Sequence, residues 1–179
     1  IYGLIPESRA VSAPLRAPSG EEVLAPRLPA DAVGIGATFG RGIVLDAVRP
    51  PAAAAVVPGD PSMIEIDWRI AGTVPRDIEI VVSFESSGGA VFAQANHELI
   101  SAALRFADAP RGVTLRDVVP FVVPTAGAGA DLDVWVGLRN GESHRRLRVS
   151  GTDRMTRADG RVLVTTLRPS VPSGAPSSE

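Results

Sequence analysis

The chain has 179 residues, a net charge of −2, 45% hydrophobic and 21% charged residues, a globular composition long enough for one domain with tails. It contains no Cys, which excludes disulfide frameworks, thiol catalysis and Cys-ligated zinc. The net charge, the absence of a basic tail and a supply of only 5 Phe, 2 Trp and 1 Tyr count against nucleic acid as a partner. All 18 basic residues are Arg, which reads as the coding bias of a GC-rich genome more than as selection for bidentate contacts. Gly (18) and Pro (16) fall mostly between apolar runs, the distribution of short strands joined by turns.

The chain opens on Ile1 and not on Met, so it reads as processed or trimmed, with any signal peptide or anchor lying upstream. Ile1 to Ile5 is a short apolar start ended by Pro6, and Tyr2, Leu4 and Ile5 are its candidate contact residues. It is expected either to pack on its own domain or a partner, or to end an upstream membrane helix with Tyr2 at the interface. Through Ala32 the chain carries Pro14, Pro18, Pro26 and Pro29 with no apolar period. Residues 1–32 are therefore read as an extended arm, rising roughly 3.1 Å per residue where fully stretched.

Strands are expected from Val33. Ile43 and Leu45 are placed on one face of a strand with Val44 and Val48 on the other; Pro50 and Pro51 break it. Ala52 to Val57 is a short run ended by the turn Pro58-Gly59-Asp60. Ile64, Ile66, Trp68 and Ile70 alternate with Glu65, Asp67 and Arg69, and Ile78, Ile80, Val82 and Phe84 alternate after a turn. That period of two predicts two half-buried strands with Trp68 in the core. Gly88-Gly89 marks a hairpin before Val91 and Phe92. Asn96 to Phe106 reads equally as a short helix capped by Asn96 or as an irregular crossover. Val113 to Val123 reads as a strand pair or one bent strand, put at an edge or bulge by Pro120. Leu132, Val134, Val136 and Leu138 form a strand ending at the hairpin signal Asn140-Gly141, with Arg146 to Val149 on its partner, and Val162 to Leu167 is the last strand. The tail, residues 169–179, is low-complexity. About eight strands over residues 33–168, with at most one short helix, predict an all-β antiparallel sandwich of immunoglobulin-like or jelly-roll type.

Reactive constellations are sparse. Gly34, Gly36 and Gly40 have the wrong spacing and flanks for a dinucleotide loop and read as turn or bulge glycines. The two histidines, His97 and His144, are expected at the surface, and no Ser sits in a nucleophile elbow. Asp131 and Asp133 share a strand face and read as its wet side more than as a cation site. No catalytic, cofactor or metal residue is assigned. Trp135 breaks the phase of its strand and is expected on the opposite sheet face, either exposed as a platform for a sugar or an anchor for a protein, or covered there by the arm or a crossover. Arg145, Arg146 and Arg148 form a basic cluster beside His144, read as the solvated face of an edge strand or as a contact for phosphates or an acidic partner.

The fragments Phe39-Gly40 with Ile43 and Leu45, Val57-Pro58-Gly59-Asp60, Ile64 to Trp68, Phe84, Gly89, Ala93-Gln94, Arg116-Asp117 and Val136 to Asn140 occur in an order that resembles a known family. It is similar to the extracytoplasmic β-sandwich domains attached to bacterial polytopic membrane proteins of glycosyltransferase type, over about Val33 to Arg168. The resemblance implies the fold and no catalytic residues; the segment from Asn96 to Pro110 is poorer in aromatics than the family's loop. The expectation is a non-catalytic extracytoplasmic module of a larger, membrane-associated protein assembly. The alternative is a carbohydrate-binding module using Trp135.

Overall fold

The structure, a computed structural model, describes residues 31–98, 100, 104–125 and 129–170. Alternation dictates its strands. Ile64, Ile66, Trp68 and Ile70 turn inward along one strand, Ile78, Ile80, Val82 and Phe84 along the next, and both sets are buried in one core. Among the described residues there are nine strands: β1 (Val33–Phe39), β2 (Ile43–Arg49), β3 (Pro61–Ile70), β4 (Ile78–Ser86), β5 (Val91–His97), β6 (Thr114–Val122), β7 (Leu132–Asn140), β8 (Val149–Ser150) and β9 (Arg161–Leu167). They form two antiparallel sheets, β6-β3-β2-β1-β8 and β5-β4-β7-β9, here sheets A and B. The predicted β-sandwich is present, and β3 and β4 bury their inward residues in its one core from different sheets.

Aromatic rings tie the layers together. Trp68 meets Phe39 at 5.9 Å between centroids and Phe106 edge-on at 5.3 Å, while Phe84 stacks on Phe121 at 4.3 Å. Two bulges set the registers of sheet A. Gly36, at φ +66°, is the extra residue where β1 pairs with β2, a left-handed conformation that glycine adopts freely. Asp46 is the extra residue where β2 pairs with β3. It corrects the expected face of Val48: one inserted residue reverses the phase, and Val48 joins Ile43 and Leu45 in the core.

Of the segment from Asn96 to Phe106, the described residues form no helix before Phe106, and residues 99 and 101–103 lie outside them. Asn96 and His97 complete β5 opposite Val81 and Ile80, and a single 3-10 turn, Phe106–Asp108, delivers Phe106 to the core. Ala53–Ala55 is a second such turn, and the backbone N–H of Ser170 bonds the Val56 carbonyl beside it at 2.9 Å. Pro120 sits in β6, at the edge of sheet A, as its missing N–H requires. The hairpin after Asn140 is short. Leu147 N–H reaches the Leu138 carbonyl at 2.8 Å, after which the chain leaves sheet B and β8 pairs with β1 in sheet A.

Candidate functional site

The two outer faces carry the side chains available to a partner. On sheet A, Arg69 grips Asp46 through Nε and Nη2, both at 2.8 Å, and Arg116 grips Asp67 at 3.0 and 3.2 Å. Arg49 spans Glu65 at 3.3 Å and Asp31 at 2.9 Å. These bidentate pairs raise the guanidinium pKa of Arg69 and Arg116 above the ordinary range, chiefly through the side-chain hydrogen bonds themselves. Towards the other end of β3 and β6 the charges stop. Pro61 lies opposite Val122 and Met63 opposite Pro120, all on the outer face. Met63 is 45% exposed and Val122 60%. Beside them, Pro50, Pro51 and Pro61 wall an open cleft of about 660 Å³ that also takes in Asp31, Arg49 and Glu65.

Sheet B closes its outer face differently. Residues 155–161 double back along β9: Leu163 N–H bonds the Met155 carbonyl and Arg157 N–H the Arg161 carbonyl, both at 2.9 Å. The turn directs Arg157 inward, 4.1 Å over the Trp135 ring. The same guanidinium donates to Glu85 at 2.5 Å, and Arg161 donates to the other Glu85 oxygen. Ser83 Oγ donates to Glu85 at 2.9 Å. Glu85 is fully buried, so this cluster is a desolvated carboxylate held by two arginines and a hydroxyl.

Of the exposed and the covered alternatives for Trp135, the exposed one is not met. Its phase is as expected, outside the core and on the outer face, but it is only 2% exposed because Arg157 covers the ring. Alternation along β7 determines the side on which a residue lies, and it carries no information about a covering segment twenty residues later.

The basic cluster divides. His144, in a left-handed conformation at φ 54°, Arg145 and Arg148 are exposed. Arg146 is half-buried, opposite Arg139 in an isolated bridge, with its Nη1 enclosed and without a hydrogen-bond partner. Burial pushes its guanidinium below the usual arginine range, and the charges of Arg161 and Arg139 push the same way against Asp159 and Glu79.

His97 is not a free surface residue. Its Nε2 is 2.7 Å from Oδ2 of Asp117, which points into the core from β6 and is fully buried. The pair joins the edge strands of the two sheets. Sequence periodicity hid it, because an acid at a core position of β6 reads as a phase error until its partner is in place. Asp131 and Asp133 do not converge on a cation: Asp131 faces Arg168 at 3.3 Å and Asp133 accepts from Thr166 at 2.8 Å. Among the described residues no group of three or more His, Asp or Glu is placed to hold a metal ion, and no helix is long and apolar enough to cross a membrane. Tyr2, Leu4 and Ile5 lie outside the described residues, as do the rest of residues 1–30 and residues 171–179.

No protein-family model matches the chain, and no curated protein matches it. Among solved structures it is similar to the crystal structure of the C-terminal domain of wzt, at 13% identity and a TM-score of 0.45, over 83% of this chain and 81% of that one. The likeness is distant and concerns the fold.

Proposed function

We propose that this chain is a non-catalytic interaction module of a larger, membrane-associated assembly outside the cytoplasm. The observation that carries the reading is the apolar end of sheet A. There the ion-pair ladder gives way to Pro61, Met63, Pro120 and Val122 beside the proline-walled cleft. A contiguous exposed apolar patch next to a polar rim is the signature of a protein contact. The occupant that fits is an extended segment of a partner protein with aliphatic or proline side chains and a flanking basic residue. The rim is acidic, since Asp31 and Glu65 share Arg49 and Asp60 adjoins Pro61 in the chain. The strand order β2-β3-β6 facing β5-β4-β7-β9 favours the immunoglobulin-like form of the sandwich over the jelly roll. The carbohydrate platform on Trp135 is set aside, because the face a sugar would stack on is occupied by Arg157.

The test is the size of the native assembly extracted from membranes. Wild type is expected to migrate with a partner. A Met63→Asp, Val122→Asp double variant with an unchanged circular dichroism spectrum is expected to migrate alone. A wild-type chain that runs as a free monomer, or a variant that stays in the complex, overturns the reading.

A further inference from the structure

We propose that the outer face of sheet B holds a binding site for a small oxyanion at Gly137, with Arg146 as the principal donor and Arg139 and Arg161 beside it. The site is on the opposite sheet from the apolar cleft and goes beyond the interaction reading.

Two arginines crowd one piece of backbone and a third stands beside them. A Cβ at Gly137 would lie 2.8 Å from Cγ of Arg161 and 3.0 Å from Nη1 of Arg146, so both side chains occupy the space that glycine leaves. Arg139 pairs with Arg146 across the isolated bridge and therefore projects from the same face. Two of the three are neutralised. Arg139 donates to both oxygens of Glu79, at 2.5 and 2.7 Å, and Arg161 is shared between Glu85 and Asp159. Arg146 has no ion pair and no side-chain hydrogen bond among the described residues, and its Nη1 is shut off from solvent.

A half-buried cation whose Nη1 is closed to water and which lies beside two other cations is unfavourable unless opposite charge completes it, and Asp159 and Glu79 do not offset its burial fully. The guanidinium offers a planar fork that matches two oxygens of a carboxylate, phosphate or sulfate. His144, Arg145 and Arg148, which flank Arg146 in the chain, are exposed and add positive charge around it. The burial that lowers the Arg146 pKa is the desolvation that a bound anion would offset.

The experiment is calorimetric titration and thermal melting of the whole chain with sodium phosphate, sulfate and acetate, each against sodium chloride at equal ionic strength. Saturable binding is expected for at least one of the three, and the preferred anion tells a tetrahedral ligand from a carboxylate. Arg146→Met is expected to remain folded, since it removes an unpaired enclosed cation, and to weaken that binding at least about tenfold, the factor of one lost charge-assisted contact. Arg146→Gln is the second variant, and Arg41→Met, which removes the same charge from an exposed turn of sheet A, is expected to bind as wild type. Responses no larger than chloride for all three anions, or equal responses in wild type and both Arg146 variants, overturn the proposal.

Discussion

The guanidinium of Arg157 lies 4.1 Å over the ring of Trp135 and donates to the buried carboxylate of Glu85 at 2.5 Å. One side chain thus seals an aromatic face and neutralises an acid, and it comes from a turn rather than from the sheet that it covers. Arg157→Ala is expected to cost about 1–3 kcal/mol, because Glu85 keeps Arg161 and Ser83 when Arg157 is gone. Glu85→Ala leaves two arginines facing each other and is expected to cost more, about 3–5 kcal/mol. Urea unfolding measures both. Tryptophan fluorescence separates the causes: Arg157→Ala should shift emission to the red and increase acrylamide quenching as Trp135 meets water.

The His97–Asp117 contact is a second buried polar joint, this time between edge strands of the two sheets. His97→Leu removes a partner from a carboxylate that has no solvent to replace it, and should lower stability by about 1–3 kcal/mol. His97→Gln, which keeps a donor near Asp117, should lose less. Thermal melts at neutral pH rank the two, and equal losses would show that the histidine acts by shape alone.

Gly137→Ala tests the crowding on the outer face of sheet B. The added methyl would press on Cγ of Arg161 and Nη1 of Arg146, with the Gly160 carbonyl 3.3 Å away. Arg161 cannot retreat without leaving Glu85, so a cost of about 1–3 kcal/mol is expected, against the slight gain an alanine brings at an open strand position. Denaturant melts give the value.

Asp31 provides a pH prediction. Its hydrogen bond from Arg49 holds the carboxyl below the usual aspartate range. A depressed folded pKa means that the pair's contribution is fully present above the ordinary aspartate pKa and is lost as pH falls through the lowered folded value. Carboxyl NMR titration should place Asp31 below its position in Arg49→Gln. The two proteins should converge in stability once the pH is below both values.

Much of the sandwich was legible in the residues. β3, β4 and β7 follow their period-two patterns, β9 is strand as expected, Trp68 is core as its phase requires, and Pro120 marks an edge. Asp46 illustrates the limit. Whether a residue is absorbed as a bulge depends on the neighbouring strand, so the burial of Val48 could not be read from its own strand. Asn96 is similar: its value as a helix cap was local, and pairing with Val81 outweighed it.

What the sequence determined by itself is the identity of the strands and the side on which each residue stands, because backbone pleat makes those local properties. What only the tertiary structure decided is which strands share a sheet and which outward side chains stay in water. β3 and β4, neighbours in the chain, went to different sheets, and Trp135, correctly placed on an outer face, was covered by Arg157. Burial there depends on contacts between residues far apart in the chain, which an alternation of apolar and polar positions does not encode.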